Sequence, residues 1–252
     1  MNIKLQHKEK KFRVYIMENL IIKPITEMEN PGYKYNSNKI IFLAKDIVDL
    51  NPTPFVIHEI EDKSINDEFK EMCKTIPERN LYINKNQNPN KTNLLFSGEN
   101  AYVPGNLILE NDTKCVNTLK QVIINKISEV LNMYFHNNKW SIFFTNSWIQ
   151  KYKDGSFLSP HNHSSSIDST DINKKCFSLA YYIDDGNPDE KYSLNGCVTF
   201  QAGSNIHHIR PRPGLLLIWE SHLVHNVNPF YSKDKTERVM LSANITCNPN
   251  NV

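Results

Sequence analysis

The sequence concentrates its histidines in one region. Six of the nine histidines lie between residues 161 and 225, and two of them form the pattern His161-Asn162-His163. In an extended chain the side chains at positions i and i+2 point to the same side, and imidazole is the commonest protein ligand for a transition metal. The spacing therefore predicts half of a metal site at the end of a strand. The alternative is a polar loop, because three serines follow.

A third histidine and an arginine come later in the chain. His225 follows the apolar run at residues 215–219, and Arg238 opens a segment in which residues of one face alternate with those of the other. An arginine on the inner face of a sheet suits a carboxylate, because its planar guanidinium donates two parallel hydrogen bonds. A buried guanidinium without a partner is costly, so an inward Arg238 implies an anion nearby. The alternative is an exposed Arg238 that pairs with Asp234 or Glu237.

Other candidate residues carry weaker signals. Asn146, Tyr152 and Tyr182 lie on predicted strands and could hydrogen-bond a bound ligand, although core packing with a satisfied polar tip explains them equally well. We expect Trp148 and Trp219 in the core. The remaining histidines are assigned no ligand role: His222 as structural, His207 and His208 as surface or entrance residues, and His7, His58 and His136 as ordinary residues.

Short β-like runs separated by turn signals dominate the chain from residue 140 onward. The predicted strands are residues 140–152, 176–183, 196–201, 214–219 and 238–246. Consecutive short strands are typical of an antiparallel sandwich or jelly roll, and not of alternating strand–helix units. We therefore predict a mostly β protein of this kind.

The first half of the chain predicts two helices. Residues 64–76 open with a serine that can cap a helix, and residues 112–135 carry one apolar stripe at helical spacing. Such a stripe packs against a sheet, so we expect the helices to brace one sheet from outside. Further β-like runs lie at residues 40–43 and 54–60, and residues 84–100 are predicted to form a polar loop.

Length and composition limit the class of protein. A chain of 252 residues can bury a substantial core, and we predict one domain over residues 1–252. Residues 1–139 would form a helical and β extension and residues 140–248 the jelly-roll core, with a separate N-terminal domain as the alternative. The 29 basic and 27 acidic residues leave a net charge of +2, which argues against nucleic-acid binding.

The compartment is predicted from what the sequence does not carry. No apolar run is long enough to span a bilayer, and residues 1–20 show no secretory signal. Five cysteines without a CxxC pair are typical of reduced thiols. We therefore expect a cytoplasmic protein with no membrane role.

The order of these motifs resembles a known family, the 2-oxoglutarate- and Fe(II)-dependent oxygenases common in phages and marine bacteria. The resemblance is carried by Asn146-Ser147-Trp148, Pro160-His161-Asn162-His163, residues 178–183, 213–217 and 221–227, and Arg238 with Ser242 and Asn244. It implies a double-stranded β-helix, or jelly roll, in which His161 and His225 hold iron. Arg238 would hold the distal carboxylate of 2-oxoglutarate.

The third metal ligand departs from the pattern of that family. Most members have an aspartate or glutamate two residues after the first histidine, whereas this sequence has His163. Strand alternation favours His163 as the ligand. Asp168 or Asp171 could fold back from the following loop instead, and three histidines plus water also describe a zinc site.

The leading hypothesis is therefore an Fe(II)- and 2-oxoglutarate-dependent hydroxylase that acts on an unidentified small molecule or peptide. Three protein ligands would leave three positions for 2-oxoglutarate and O2. The additional cosubstrate contacts are predicted to be Asn146, Tyr152, Tyr182, Ser242 and Asn244. Two alternatives remain: a three-histidine metal enzyme that does not use 2-oxoglutarate, and a non-catalytic jelly-roll binding module. If the protein is phage-encoded, it would act in the host cytoplasm.

Overall fold

The computed structural model describes residues 46–50, 53–75, 96–97, 101–103, 108–135, 139–163 and 174–250. These residues form two α-helices, a short 3-10 turn at Ile108–Glu110 and twelve β-strands. The helices are α1 (Lys63–Thr75) and α2 (Lys114–Tyr134). The strands are β1 (Asp46–Leu50), β2 (Thr53–Glu59), β3 (Phe96–Ser97), β4 (Ala101–Val103), β5 (Lys139–Tyr152), β6 (Phe157–His161), β7 (Lys175–Asp184), β8 (Val198–Ala202), β9 (Asn205–Ile209), β10 (Leu215–Glu220), β11 (Val224–Val227) and β12 (Arg238–Asn250).

The twelve strands of the described residues pair antiparallel in two sheets. The larger sheet has the order β1-β2-β10-β7-β12-β5-β4, and the smaller one has the order β3-β6-β11-β8-β9. Strands distant in sequence are neighbours in both sheets, as in a jelly roll. The prediction of a mostly β jelly roll is confirmed.

Both helices pack on the outer face of the larger sheet. Alternate residues of its strands, such as Leu179, Tyr181 and Leu241, join the apolar side of α2 in one buried cluster. That side of α2 consists of Val116, Leu119, Ile123, Ile127, Val130 and Leu131. Thr113 caps the helix, because its hydroxyl accepts a hydrogen bond from the N–H of Val116. The predicted bracing of one sheet by helices is confirmed.

The inner faces of the two sheets enclose a second buried cluster. Side chains alternate along each strand, so Tyr182 of β7 lies between the sheets while Tyr181 lies on the helix side. On β12, Arg238 pairs in register with Tyr152 of β5. Arg238 and Asn244 have the same parity on β12, and both are buried. This inner face of the larger sheet carries most of the polar side chains that the sequence analysis selected.

Most predicted elements lie within two residues of the observed ones. The predicted helices correspond to α1 and α2, and β12 runs four residues past its predicted end at residue 246. β6, β9 and β11 were not assigned, because their histidines and asparagines obscure the apolar alternation. β3 lies inside the predicted loop of residues 84–100. The run predicted at residues 40–43 lies outside the described residues.

The N-terminal part contributes three strands, β1, β2 and β4, to the larger sheet. β2 hydrogen-bonds to β10 in register, with Phe55 opposite Trp219. The division into an extension (residues 1–139) and a core (residues 140–248) stays a prediction. Among the residues that the structure describes, neither helix has the length and apolarity needed to cross a bilayer.

Candidate metal centre and anion pocket

Two of the predicted histidines lie directly opposite each other on neighbouring strands. The register of β6 and β11 pairs His161 with His225, and the centroids of the two rings are 4.2 Å apart. His225 is 5 % exposed, and its ring packs against Trp219 and Phe200 with centroid distances of 4.8 and 5.6 Å. The strand register thus brings together two imidazoles that are far apart in the sequence.

His163 also lies next to His161 and His225, but strand pairing does not place it there. β6 ends at His161, so the argument from strand alternation does not apply to His163. Instead, its backbone N–H donates to the carbonyl of Ser221 at 2.8 Å, which ties this segment to the end of β10. The His163 ring centroid lies 5.2 Å from those of both His161 and His225. One possible ligand atom from each of the three histidines lies within 4.8 Å of the other two.

The imidazoles are held in a form that can bind a metal. Nδ1 of His161 lies 2.8 Å from the carbonyl oxygen of Ser159, and Nδ1 of His225 lies 3.0 Å from that of Leu223. A carbonyl oxygen only accepts, so each Nδ1 carries the proton and each Nε2 presents its lone pair. Burial lowers the pKa of His161, and it lowers the pKa of His163 to about 4 and that of His225 to about 3. All three are neutral at pH 7, the form that ligates metals.

Arg238 is a buried cation at the start of β12. Its side chain is 1 % exposed, Nη1 donates to the carbonyl of Gly196 at 2.5 Å, and Nε donates to that of Asp185 at 3.4 Å. The ring of Phe230 covers the guanidinium at 4.4 Å, a cation–π contact. Nη2 has no hydrogen-bond partner among the described residues. Because Arg238 is buried, the exposed arrangement that the sequence left open does not form.

Two tyrosines lie close to this cation, and Ser156 contacts the backbone of Phe230, whose ring covers it. Burial raises the pKa of the Tyr152 and Tyr182 hydroxyls well above their ordinary range, although the charge of Arg238 acts in the opposite direction. Ser156 accepts a backbone hydrogen bond from Phe230 at 2.9 Å. Among the described residues, the hydroxyls of Tyr152 and Ser156 are buried without a partner. Buried polar groups normally have one, so Arg238, Tyr152 and Tyr182, which we call the anion pocket, fit a carboxylate as acceptor.

A cavity of about 300 Å³ extends from the histidines toward the anion pocket. Its walls include all three histidines as well as Tyr152 and Tyr182, together with Trp148, Gln150, Leu158, Leu179, Ala180, Val198, Trp219, Val227, Met240 and Ser242. Arg238 and Asn244 are separated by six residues on an extended strand, a distance of roughly 20 Å. They therefore lie far apart on the inner face, Arg238 at the start of β12 and Asn244 at its middle.

The other predicted cosubstrate contacts are spread along this face. Ser242 lines the cavity. Asn146 lies opposite Asn244 in the register of β5 and β12, and its Oδ1 has no hydrogen-bond partner among the described residues. The Asn244 side chain hydrogen-bonds the ring of His163 and accepts from Ser178. Asn244 thus belongs to the histidine end and not to the surroundings of Arg238.

The cavity wall includes a residue that sequence reasoning missed and one that it misplaced. Gln150 is buried, lines the cavity and was not selected. Trp148 was predicted in the core but is only half-buried, because it faces the cavity beside His163 at a ring distance of 6.2 Å. Both lie on the inward row of β5, so alternation from Asn146 to Tyr152 was the available signal.

The remaining candidates lie elsewhere. His222 is exposed, and its Nδ1 is 3.4 Å from the Glu220 carboxylate. His207 and His208 are half-buried on β9, which is followed by the turn at residues 212–215. The alternative ligands Asp168 and Asp171 lie outside the described residues.

Comparison with known proteins identifies the class of the β core. Residues 147–246 match the model of the 2OG-Fe(II) oxygenase superfamily. The chain is similar to HygX from Streptomyces hygroscopicus, solved with nickel and 2-oxoglutarate bound, with a TM-score of 0.52 and 9 % identity over 77 % of this chain and 82 % of that one. For an oxidoreductase of the 2OG-Fe(II) oxygenase family from Burkholderia pseudomallei, the TM-score is 0.49 and the identity 12 %, over 76 % of this chain and 84 % of the other. No curated protein matches the sequence.

The structural similarity shows a shared fold, whereas the family match covers the strands that carry the chemistry. The matched segment contains the three clustered histidines and the buried arginine. Residues 147–246 therefore form a 2OG-Fe(II) oxygenase domain, and the protein is an oxygenase that depends on Fe(II) and 2-oxoglutarate.

Proposed function

We propose that His161, His163 and His225 hold the iron and that Arg238 binds the distal carboxylate of 2-oxoglutarate. The observation that carries this proposal is one cavity lined by three neutral imidazoles and by Tyr152 and Tyr182, with the buried guanidinium of Arg238 next to these tyrosines. Bound iron and 2-oxoglutarate supply the oxidising chemistry, in which O2 is consumed and the cosubstrate is converted to succinate and CO2 while a substrate C–H bond is hydroxylated.

The charges of these residues suit a dianionic cosubstrate. Three neutral histidines leave the +2 charge of Fe(II) uncompensated by protein ligands, so this end of the cavity attracts an anion. At the other end, the guanidinium of Arg238 is positive, and the Tyr152 and Tyr182 hydroxyls are neutral donors. A molecule with a carboxylate at each end would satisfy both ends.

The chain also orients the ligands and restricts water. Trp219 and Phe200 pack on the ring of His225, so this imidazole is fixed before the metal arrives. The apolar side chains of Leu158, Val198 and Met240 line the cavity between the polar ends. In such an environment electrostatic contacts are stronger than in water, which favours tight binding of a charged cosubstrate.

The proposal is tested by titrating Fe(II) and 2-oxoglutarate into the anaerobic protein. We expect a visible charge-transfer band that requires both components and saturates at one equivalent of each. The product assay is formation of succinate under air. Tight zinc binding without any such band would contradict the proposal and support a zinc enzyme instead.

Gly196 offers a separate test of the anion pocket. It has a φ of +58°, and a Cβ there would overlap Nη2 of Arg238 and lie 2.7 Å from Cζ. Gly196→Ala should therefore displace the guanidinium and raise the concentration of 2-oxoglutarate needed for half-maximal band intensity by at least tenfold, while Fe(II) affinity stays unchanged. Gly155→Ala is the matched control, because Gly155 has a φ of +79° but nothing within 4 Å of the added Cβ. Equal effects of the two variants would show that backbone strain alone is responsible.

We also propose that the protein belongs to the phage and marine-bacterial group of the family and acts in the cytoplasm on a small molecule or peptide. The spacing of His161, His163, His225 and Arg238 supports the first point. The five cysteines are all unpaired, which suits a reducing compartment. The near-neutral net charge argues against a nucleic-acid substrate.

A further inference from the structure

The three histidines differ in what holds their rings. In His161 and His225, Nδ1 is held by the carbonyl of the residue two positions earlier in the chain, Ser159 in β6 and Leu223 just before β11. The ring of His163 is instead hydrogen-bonded by Asn244, which lies on β12 in the other sheet. His163 lies beyond the end of β6 and so lacks the support of a strand. Its orientation therefore depends on a residue far away in the sequence.

Asn244 is itself held in place by two buried serines. The hydroxyl of Ser178 donates to Oδ1 of Asn244 at 2.9 Å, and the hydroxyls of Ser178 and Ser221 are 2.9 Å apart. The carbonyl of Ser221 accepts the backbone N–H of His163 at 2.8 Å. Ser178, Ser221 and Asn244 are 1, 2 and 6 % exposed. Together with the hydrogen bond from Asn244 to the imidazole, these contacts form a closed network that begins at the backbone of His163 and ends at its side chain.

The neighbouring strand β5 carries a bulge beside Asn244, because Asn146 lies opposite Asn244 and Phe144 opposite Ile245, which leaves Thr145 as the extra residue. The register with β5 shifts between Asn244 and Ile245, and the hydroxyl of Thr145 donates to the carbonyl of Asn244 at 3.0 Å. Such bulges redirect a side chain out of the regular pleat. The bulge directs Thr145 to the carbonyl of Asn244, so the backbone of Asn244 is held by β5 and its side chain by Ser178.

We propose that Asn244 is a positioning residue for His163, held in turn by Ser178 and Ser221, and not a cosubstrate contact. The inference rests on the proposed function, in which His163 is the third metal ligand. Asn244 lies roughly 20 Å from Arg238 along the strand, so both cannot hold the same carboxylate. Hydrogen-bond partners of ligating histidines fix the ring and the tautomer, and their loss typically weakens metal binding 10- to 100-fold.

The test measures Co(II) binding to the full-length protein by its visible ligand-field absorption. Asn244→Ala should raise the Kd for Co(II) roughly 10- to 100-fold and shift the absorption bands. Ser178→Ala should act in the same direction with a smaller effect, because it frees the orientation of Asn244 without removing it. Thr246→Ala, two residues along the same strand, is the matched control and should leave both Kd and bands unchanged.

A double-mutant cycle separates positioning from a general loss of structure. In a His163→Ala background, Asn244→Ala should cause no further rise in the Kd for Co(II), since there is no ring left to orient. If Asn244→Ala does not fold, the same cycle with Ser178→Ala decides the question. Equal effects in both backgrounds, or no effect on the wild-type background, would overturn the inference while leaving the proposed function intact. A His163→Ala variant with normal Kd and bands would instead overturn the proposed ligand set.

Discussion

Replacement of His225 by alanine should abolish Fe(II) binding, and with it the charge-transfer band and succinate formation. In the proposed metal centre His225 contributes one of three ligand atoms, and changes to groups that merely support a ligand cost 10- to 100-fold in metal affinity. Loss of the ligand itself should therefore exceed 100-fold. The measurement is the anaerobic titration of Fe(II) in the presence of saturating 2-oxoglutarate.

Two controls separate loss of a ligand from damage to the core. His222→Ala removes an exposed imidazole only three residues away and should leave the titration unchanged. Exogenous imidazole should restore part of the band in His225→Ala, because the substitution leaves a space of the right shape beside Trp219 and Phe200. Undiminished Fe(II) affinity in His225→Ala would contradict the proposed metal centre.

Replacement of Arg238 by methionine should leave Fe(II) binding intact but sharply raise the concentration of 2-oxoglutarate required. Truncation of one partner of a buried charge pair costs about 2–5 kcal/mol, which corresponds to a roughly 30- to 5,000-fold weaker affinity. Methionine fills much of the volume under Phe230 but cannot donate. The affinity of Arg238→Lys for 2-oxoglutarate should lie between those of the wild type and Arg238→Met, since an ammonium keeps the charge without the planar fork.

The matched control for this prediction is Arg212→Met. Arg212 is partly exposed, and its Nη2 lies 2.9 Å from the carboxylate of Glu59. This pair does not belong to the anion pocket, so the loss of Arg212 should not change the 2-oxoglutarate requirement. If Arg238→Met retains normal affinity for 2-oxoglutarate, the anion pocket has another role. A three-histidine enzyme that does not use 2-oxoglutarate would give that result.

The fold class was predictable because the signals that define it are local. The apolar stripe of α2 repeats at helical spacing and requires a flat apolar partner. The runs that became β5, β7 and β12 carry enough apolar residues to indicate strands. By contrast, β11 is a four-residue strand containing His225 and Asn226, so no alternation was visible there. Its existence depends on pairing with β6 and β8.

The candidate site was only partly readable for the same reason. The spacing of the imidazoles at 161 and 163 alone indicated a metal site. However, the alternation of side chains along a strand does not explain the position of His163, because β6 ends at His161. The bond from His163 to Ser221 and the role of Asn244 depend on contacts between sheets. Gln150 could have been selected from its parity on β5.

By itself, the sequence determined which residue types could bind iron and a dicarboxylate, and that they lie on short antiparallel strands. Residue type and alternation are properties of neighbours along the chain, so they can be identified in the sequence without knowledge of the fold. Tertiary structure alone decided that His161 faces His225 across β6 and β11, that Arg238 is buried under Phe230, and that the Asn244 side chain hydrogen-bonds the His163 ring. Those relations are set by strand register and sheet packing, which join residues with no local signal for one another.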